Sequence, residues 1–368
     1  MYEPSPFPYH GPLTPDRVAG REELAQDLAE RLMERRLTAL LGPRRYGKTS
    51  LLRRVTADLR EVGPETVWID LYELNSMADL AGAIDHGLAQ VQGPVRRALD
   101  SLSDGLSFRL GFLGVALTKS ARQRPDPILA VRSLLRVLVE TAQRHPLIVA
   151  FDEFSGIADV KGAAGLLRTE LQHHFAELGI VFAGSQPSTM RMLFTDQAQP
   201  FFAQADLIEL GPLSDGAIVQ ITDDGFAETG RNAGPTGRRI ADFVRGHPQR
   251  AMQLADATWR HTEPSETAID EDFEEALGDV RASVDSGSER LFAMLPTGHQ
   301  KTLRVLASGG SIYGTAASVL DLSTGTATGA VESLLGNGYL TREMIGDERH
   351  YEIVDPLFAD WITRRFAV

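Results

Sequence analysis

Leucines at positions 24, 28 and 32 recur at helical spacing within residues 22–36, and a short, largely apolar run, Thr38–Leu41, follows before a glycine turn. The pattern predicts a helix and then a buried strand. Further short apolar runs at 66–71, 147–151, 180–183 and 207–210 predict four more strands, with helix-patterned stretches between most of them. Strands that are apolar throughout, rather than at alternate positions, are buried on both faces. Their alternation with helices predicts an α/β fold: a parallel sheet with helices on both faces. One stretch departs from this rhythm. Leu106, Phe108 and Leu110 alternate before Gly111, which predicts a two-stranded insertion at 106–118. It reads as a hairpin on the sheet edge, with an oligomer contact as the less favoured alternative. Beyond Gly211 and Pro212 the strand pattern stops, helical periodicity runs to about residue 281, and a final unit is helical until two short strands flank Gly346. Four segments follow: a proline-rich arm at 1–15, an α/β core at 16–212, a helical segment at 213–285 and a terminal unit at 286–368.

A chain of 368 residues exceeds one ordinary core and suits two or three domains, which a 43% hydrophobic content can fill. The sequence contains no cysteine, which removes disulfides, thiol nucleophiles and zinc–thiolate sites and agrees with a reducing cytosol. No apolar run reaches membrane-spanning length, and residues 1–15 lack the basic-then-apolar order of a secretory signal. A soluble, cytoplasmic protein that engages no membrane is therefore expected. A net charge of -13 argues against general affinity for nucleic acid, so such a partner needs a local basic patch. Only Lys48, Lys119, Lys161 and Lys301 are lysines among 37 basic residues. Arginine is thus the background, and a lysine standing where a compact ammonium is required carries more information.

Such a place exists. Gly42-Pro43-Arg44-Arg45-Tyr46-Gly47-Lys48-Thr49 fits the pattern G-x-x-x-x-G-K-[ST] in full, follows a predicted strand, and opens a helix marked by Leu51, Leu52 and Val55. The glycines let backbone N–H groups and the helix N-terminus face the phosphates of ATP. Lys48 then reaches the β- and γ-phosphates, Thr49 ligates magnesium, and Ser50 completes the loop. Arg44 and Arg45 occupy variable positions and read as solvated charges. The loop requires an acidic metal partner at the end of a neighbouring strand, and the run 147–151 leads into Asp152-Glu153. Asp152 is the expected magnesium residue and Glu153 the expected polariser of the attacking water. A serine-hydrolase elbow at Ser185 is excluded, because Ala183 and Pro187 stand where glycines are required. His173 and His174 are adjacent, point in different directions on a helix, and read as ordinary helix residues rather than metal ligands.

Gly20-Arg21-Glu22 before a helix, the loop at 42–50, the Asp152-Glu153 strand end and Gly246-His247-Pro248 together resemble archaeal-type ATPases of the STAND and AAA+ groups, over almost the whole chain. The resemblance implies a P-loop NTPase core, a helical lid at 213–285 and a C-terminal winged-helix domain at 286–368. The three helices of the last fall near 300–307, 315–320 and 323–335. Val18 and Arg21, in the segment before the first helix, are implied to lie near the adenine. Pro248, and with it His247, is implied to approach the nucleotide from the lid. Ser185 or Gln186 is placed to sense the γ-phosphate, against the plainer alternative of a polar strand-end turn. The stretch around Asp355-Pro356-Leu357-Phe358 also matches the family's ending. Where relatives carry an arginine a few residues before the last sheet strand, this chain has Gln204. Hydrolysis completed by a neighbouring subunit would then need Arg191 or another arginine.

Two functional classes remain in view. The first is a nucleotide-switched regulatory ATPase of low turnover, in which ATP docks the lid and winged helix and hydrolysis exposes a surface for an unidentified protein partner. The alternative is a DNA-transaction ATPase, similar to origin-recognition or transposition regulators, that grips DNA through the winged helix. Charge on the third helix discriminates them. Residues 323–335 contain no lysine or arginine and offer only Thr324, Thr326, Thr328 and Glu332 as polar groups of any reach. The wing sets Glu343, Asp347 and Glu348 against Arg342 and Arg349. ATP and magnesium are the expected substrate and cofactor, a homo-oligomer is left open, and DNA is allowed but not favoured.

Overall fold

The computed structural model describes residues 3–103, 126–346 and 348–366, so the insertion expected at 106–118 lies outside the described residues. By contact the chain divides into two compact units. One holds residues 14–42 and 48–210; the other holds the arm up to Leu13, residues 43–47 and the chain from Gly211 onward.

In the first unit five parallel strands form one sheet in the order β2-β3-β4-β1-β5. They are β1 (Thr38–Leu41), β2 (Glu65–Asp70), β3 (Leu147–Asp152), β4 (Gly179–Gly184) and β5 (Asp206–Glu209). β1, β3 and β4 are buried at every position, which is why their sequences show no alternation. β5 corrects an expectation. The run at 207–210 reads as one more buried strand, but β5 is an edge strand whose Leu207 is 38% exposed. Around the sheet run α1 (Glu22–Met33), α2 (Lys48–Glu61), α3 (Met77–Gln90), α4 (Gly93–Ser103), α5 (Pro127–Ala142), α6 (Ala163–Leu171) and α7 (Pro187–Thr195). The chain leaves β1 toward β2 on one side and reaches β5 from β4 on the other. The β1/β4 gap is therefore the point where the winding reverses, and in open α/β sheets the crevice beyond the strand ends at that point is where ligands bind. Behind those ends Phe151 and Phe182 stack at 5.4 Å on adjacent strands, and Phe154, Phe194 and Phe201 close a buried aromatic cluster around them. That cluster fixes the backbone from which the next residues of β3 and β4 emerge.

The second unit is helical, with one hairpin. Its elements are α8 (Asp215–Glu228), α9 (Thr236–Val244), α10 (Pro248–His261), α11 (Asp270–Met294), α12 (Thr297–Ala307), α13 (Thr315–Val319), α14 (Thr324–Gly336), β6 (Leu340–Ile345), β7 (Glu348–Ile353) and α15 (Pro356–Arg365). β6 and β7 pair antiparallel around Gly346, completing a winged-helix-like ending. The expected boundary at 286 falls inside α11, which continues unbroken to Met294. Ion pairs then tie α15 back to α11, from Arg281 to Asp360 at 2.6 Å and from Arg364 to Asp285 at 2.8 Å. Leu357 of α15 joins the core of α8 to α11, while Phe358, Trp361 and Ile362 join the core of the ending.

The arm is also more than a tail. Phe7 is buried against Phe226 of α8, with ring centroids 5.7 Å apart. Gly225 makes this approach possible, since a Cβ there would lie 2.4 Å from the Phe7 ring. Arg231 pairs with Glu3 at 2.9 Å, and Gln249 Nε2 donates to the Tyr9 carbonyl at 3.0 Å. Among the described residues, no helix is long and apolar enough to cross a membrane.

Candidate functional site

The loop from Gly42 leaves β1 and turns directly into α2. Two left-handed residues make the turn, Arg45 at φ 67 and Gly47 at φ 89, the second being the conformation that glycine adopts without steric cost. Lys48, at the first turn of α2, is 5% exposed and its Nζ donates to the Gly42 carbonyl at 2.8 Å. Arg44 and Arg45 are exposed, while Pro43, Tyr46 and Ser50 are buried.

At the end of β3, Asp152 Oδ2 accepts from Thr49 Oγ1 at 2.9 Å, joining the two expected metal residues across 103 positions of sequence. Burial pushes the Asp152 carboxyl up to about 6; the Thr49 hydrogen bond opposes this and the Glu153 and Asp70 charges add to it. Thr49 and Asp152 together present oxygen donors of the kind magnesium takes, and its habit of completing its shell with water and substrate phosphate fits so small a protein set. No group of three or more His, Cys, Asp or Glu among the described residues forms a larger cage. Glu153 turns off the strand with φ 50 and ψ 40. Its Oε2 accepts from Ser185 Oγ at 2.6 Å and from the Ser185 N–H at 3.2 Å. The hydroxyl of Ser185 is thus committed to Glu153, a pairing the sequence does not signal. Gln186 is exposed and its Oε1 accepts from Thr189 at 3.0 Å.

The segment before α1 is held by a residue that sequence reasoning missed. Arg54 of α2 donates to the Val18 carbonyl at 2.6 Å and to Glu22 at 3.3 Å, while Arg21 stands at the N-cap position of α1 and is partly exposed. In the second unit, Pro248 takes the first position of α10, where a missing N–H costs nothing. His247 caps the same helix through Nδ1, which accepts from the Arg250 N–H at 3.3 Å. The His247 ring meets the Tyr46 ring edge-on, 5.2 Å between centroids. Burial pushes His247 down to about 4, the Arg250 and Arg45 charges act in the same direction, and Asp355 opposes them. Arg250 forks onto Asp355, with Nε donating to Oδ1 at 3.0 Å. Burial alone would raise the Asp355 carboxyl, but the hydrogen bonds and charge of Arg250 outweigh it and hold it below the usual range.

Other candidate residues lie outside this constellation. Contrary to expectation, His173 and His174 sit in the turn after α6 rather than on a helix, and His174 Nδ1 contacts Glu177 at 3.1 Å. Gln204 is exposed and donates to the Phe202 carbonyl. Arg191, a candidate substitute for the missing arginine, is paired with Glu209 at 2.6 Å.

No family model matches the sequence, and no curated protein sequence matches it. Among solved structures, the chain is similar to a Walker-type ATPase of Pyrococcus abyssi, with 22% identity, 97% of this chain and 99% of that one covered, and a TM-score of 0.71. It is similar to the ORC2 protein of Aeropyrum pernix in its ADPNP–ADP complexes, with 12% identity, 98% of each chain covered and a TM-score of 0.59. The ORC1 protein of Aeropyrum pernix in complex with DNA matches at 14% identity over 95% of this chain and 93% of that one, with a TM-score of 0.50. At these identities the likeness establishes the fold: a parallel-sheet P-loop ATPase core flanked by helices, followed by a helical region with a winged-helix-like end.

Proposed function

We propose that this chain binds ATP with magnesium, hydrolyses it slowly, and uses the nucleotide to control a macromolecular partner. The observation that carries the reading is the convergence of Lys48, Thr49, Asp152, Glu153 and Ser185 at the carboxyl ends of the adjacent strands β1, β4 and β3. In this reading the N–H groups of 42–50 and the Lys48 ammonium hold the β- and γ-phosphates, and Thr49 and Asp152 hold magnesium. Magnesium, when bound, neutralises charge across the phosphate oxygens. Glu153 orients the attacking water and accepts its proton, Ser185 aims Glu153, and Gln186 remains the candidate for γ-phosphate contact. Val18 and Arg21 border the base. Low turnover accords with Gln204 standing where relatives carry an arginine and with Arg191 being paired with Glu209, which leaves the role to another arginine. Calorimetry with ATP–magnesium tests the assignment. Lys48→Ala should abolish binding at micromolar nucleotide, and wild-type affinity in a folded variant would remove it.

For the partner, the DNA-transaction reading has the better support, because the fold likeness spans nearly all of an ORC1 protein solved with DNA and of an ORC2 protein. The regulatory, STAND-like reading draws on α14, whose exposed Thr324, Thr326, Thr328 and Glu332 include no cation. Two of these threonines are also engaged locally, Thr328 with the Thr324 carbonyl and Thr326 with Ser323. DNA contact would then fall to the wing, where register places the exposed Arg342 and Arg349 on one face of the hairpin. Co-purification of Glu153→Gln from its host with ATP separates the readings. Recovered nucleic acid supports the first and a protein free of nucleic acid the second.

A further inference from the structure

Ahead of α1 the chain makes a short helical turn, Pro15–Arg17, that packs against α2, the helix whose first residues are Lys48 and Thr49. All of these residues belong to one compact unit. Residues 18–21 then lie in neither helix nor strand: Val18 is buried, Ala19 is exposed, and Gly20 takes a left-handed φ of 73. With no backbone ladder to direct it, this stretch takes its course from side chains. Arg54 of α2 donates from Nη1 to the Val18 carbonyl at 2.6 Å and to Glu22 Oε1 at 3.3 Å, and the same Oε1 accepts from the Gly20 N–H at 3.1 Å. The carbonyl of one peptide plane and the N–H of the next are thus tied to a single guanidinium. In a trans peptide the C=O and N–H point in opposite directions, so tying the Val18 carbonyl aims the Ala19 N–H, and tying the Gly20 N–H aims the Ala19 carbonyl. Among the described residues neither Ala19 group has a hydrogen-bond partner. One exposed residue therefore presents a donor and an acceptor whose directions are both fixed.

We propose that Arg54 and Glu22 are positioning residues that hold the Ala19 N–H and carbonyl as a preformed pair for the polar edge of the nucleotide base. The inference rests on the reading that the segment at 18–21 borders that base. Adenine carries an amino donor and ring-nitrogen acceptors along its edges, which the carbonyl and N–H of one residue can complement. Because Arg54, Lys48 and Thr49 stand on the same helix, the clamp also sets the separation between the base-binding backbone and the phosphate ligands. Ordering the stretch before the ligand arrives removes a conformational cost that binding would otherwise meet. Arginine suits the position, since its planar fork meets a carbonyl and a carboxylate together, whereas a lysine offers a point charge on a flexible stem.

Inorganic tripolyphosphate with magnesium carries the phosphates without a base, so calorimetry of the full chain with each ligand separates the two halves of the site. Wild type should bind ATP–magnesium at least about tenfold more tightly than tripolyphosphate–magnesium, as two added hydrogen bonds allow. Arg54→Met should keep tripolyphosphate affinity within about threefold of wild type while its preference for ATP falls below about threefold. Arg54→Lys, which keeps a cationic donor, should fall between the two. Glu22→Ala releases the Gly20 peptide without altering α2, so it should lower the preference as well, and it decides the matter should Arg54→Met loosen the helix. A wild-type preference in both Arg54→Met and Glu22→Ala, or equal losses for the two ligands, would overturn the clamp and leave the phosphate site standing. Wild type without any preference for ATP would overturn the base reading at 18–21 and the clamp with it. Wild type that binds neither ligand would overturn the nucleotide-site reading itself.

Discussion

Ser185 Oγ donates a 2.6 Å hydrogen bond to Glu153 Oε2, and the Ser185 N–H adds a second to the same oxygen. Glu153 has a left-handed backbone, uncommon for a residue with a side chain, so its carboxylate depends on a partner from the neighbouring strand for its aim. We predict that Ser185→Ala lowers kcat about tenfold with ATP affinity within about threefold, and that Ser185→Thr recovers most of the loss. Glu153→Gln, which keeps shape but not basicity, should cost about 10²-fold or more in turnover with binding retained. Steady-state kinetics paired with calorimetry decide this, and an unchanged kcat in Ser185→Ala would leave that hydrogen bond without a catalytic purpose.

Asp152 and His247 have opposite pH dependence over one range. Burial raises Asp152 from its ordinary 3.8 to about 6, so its contribution to stability is present below 3.8 and lost as pH rises through 6. Burial lowers His247 from 6.5 to about 4, so its contribution is present above 6.5 and lost as pH falls through 4. Each amounts to about 3 kcal/mol, with opposite sign, in the compact unit that holds it. Asp152→Asn should remove the loss of stability that its unit shows as pH rises, while His247→Asn should remove the loss that the other unit shows on acidification. Denaturant titrations across this range check it. An Asp152→Asn profile parallel to wild type would contradict the buried, protonated aspartate.

Phe7 and Gly225 form a lock between the arm and α8. Phe7→Ala should destabilise the chain by about 3 kcal/mol, as for other buried aromatics cut to alanine. Gly225→Ala should cost about 1–3 kcal/mol, because its Cβ overlaps the Phe7 ring. In the Phe7→Ala background the same substitution meets no ring and gains helix propensity, so it should be neutral or stabilising. Additive costs in a double-mutant cycle would show that the arm does not occupy this place in solution.

DNA binding should follow the wing rather than α14. With the full chain and ATP–magnesium, Arg342→Ala and Arg349→Ala should each reduce the slope of log affinity against log salt by about one. Thr324→Ala and Thr328→Ala should change affinity less than about twofold, since short hydroxyls supply little discrimination between bases. Fluorescence anisotropy across a salt series measures both. Sequence-dependent loss in the threonine variants would return base reading to α14, and no binding at any salt would return the regulatory reading to first place.

The glycine turn at 42–49 between a strand and a helix, the acidic end of β3 and the buried strands were legible in the sequence because each is written in contiguous residues. A glycine that must turn left, a lysine that must open a helix, and apolar runs buried on both faces all obey local rules. The uncharged face of α14 was legible for the same reason. What only the tertiary structure decided are pairings between segments that periodicity cannot connect. Ser185 finds Glu153 32 residues away, and Arg250 finds Asp355 105 residues away. Phe7 is buried only because a glycine on α8 leaves room for its ring. Leu207 reads as core yet lies on the sheet edge, because hydrophobicity records what a strand tolerates and not whether a neighbour covers it. The boundary expected at 286 vanishes inside α11 because a change in sequence pattern marks a change of packing partner, which one continuous helix can supply along its length. Local chemistry determined which residues are equipped to act, and the fold decided which side chain holds each of them in place.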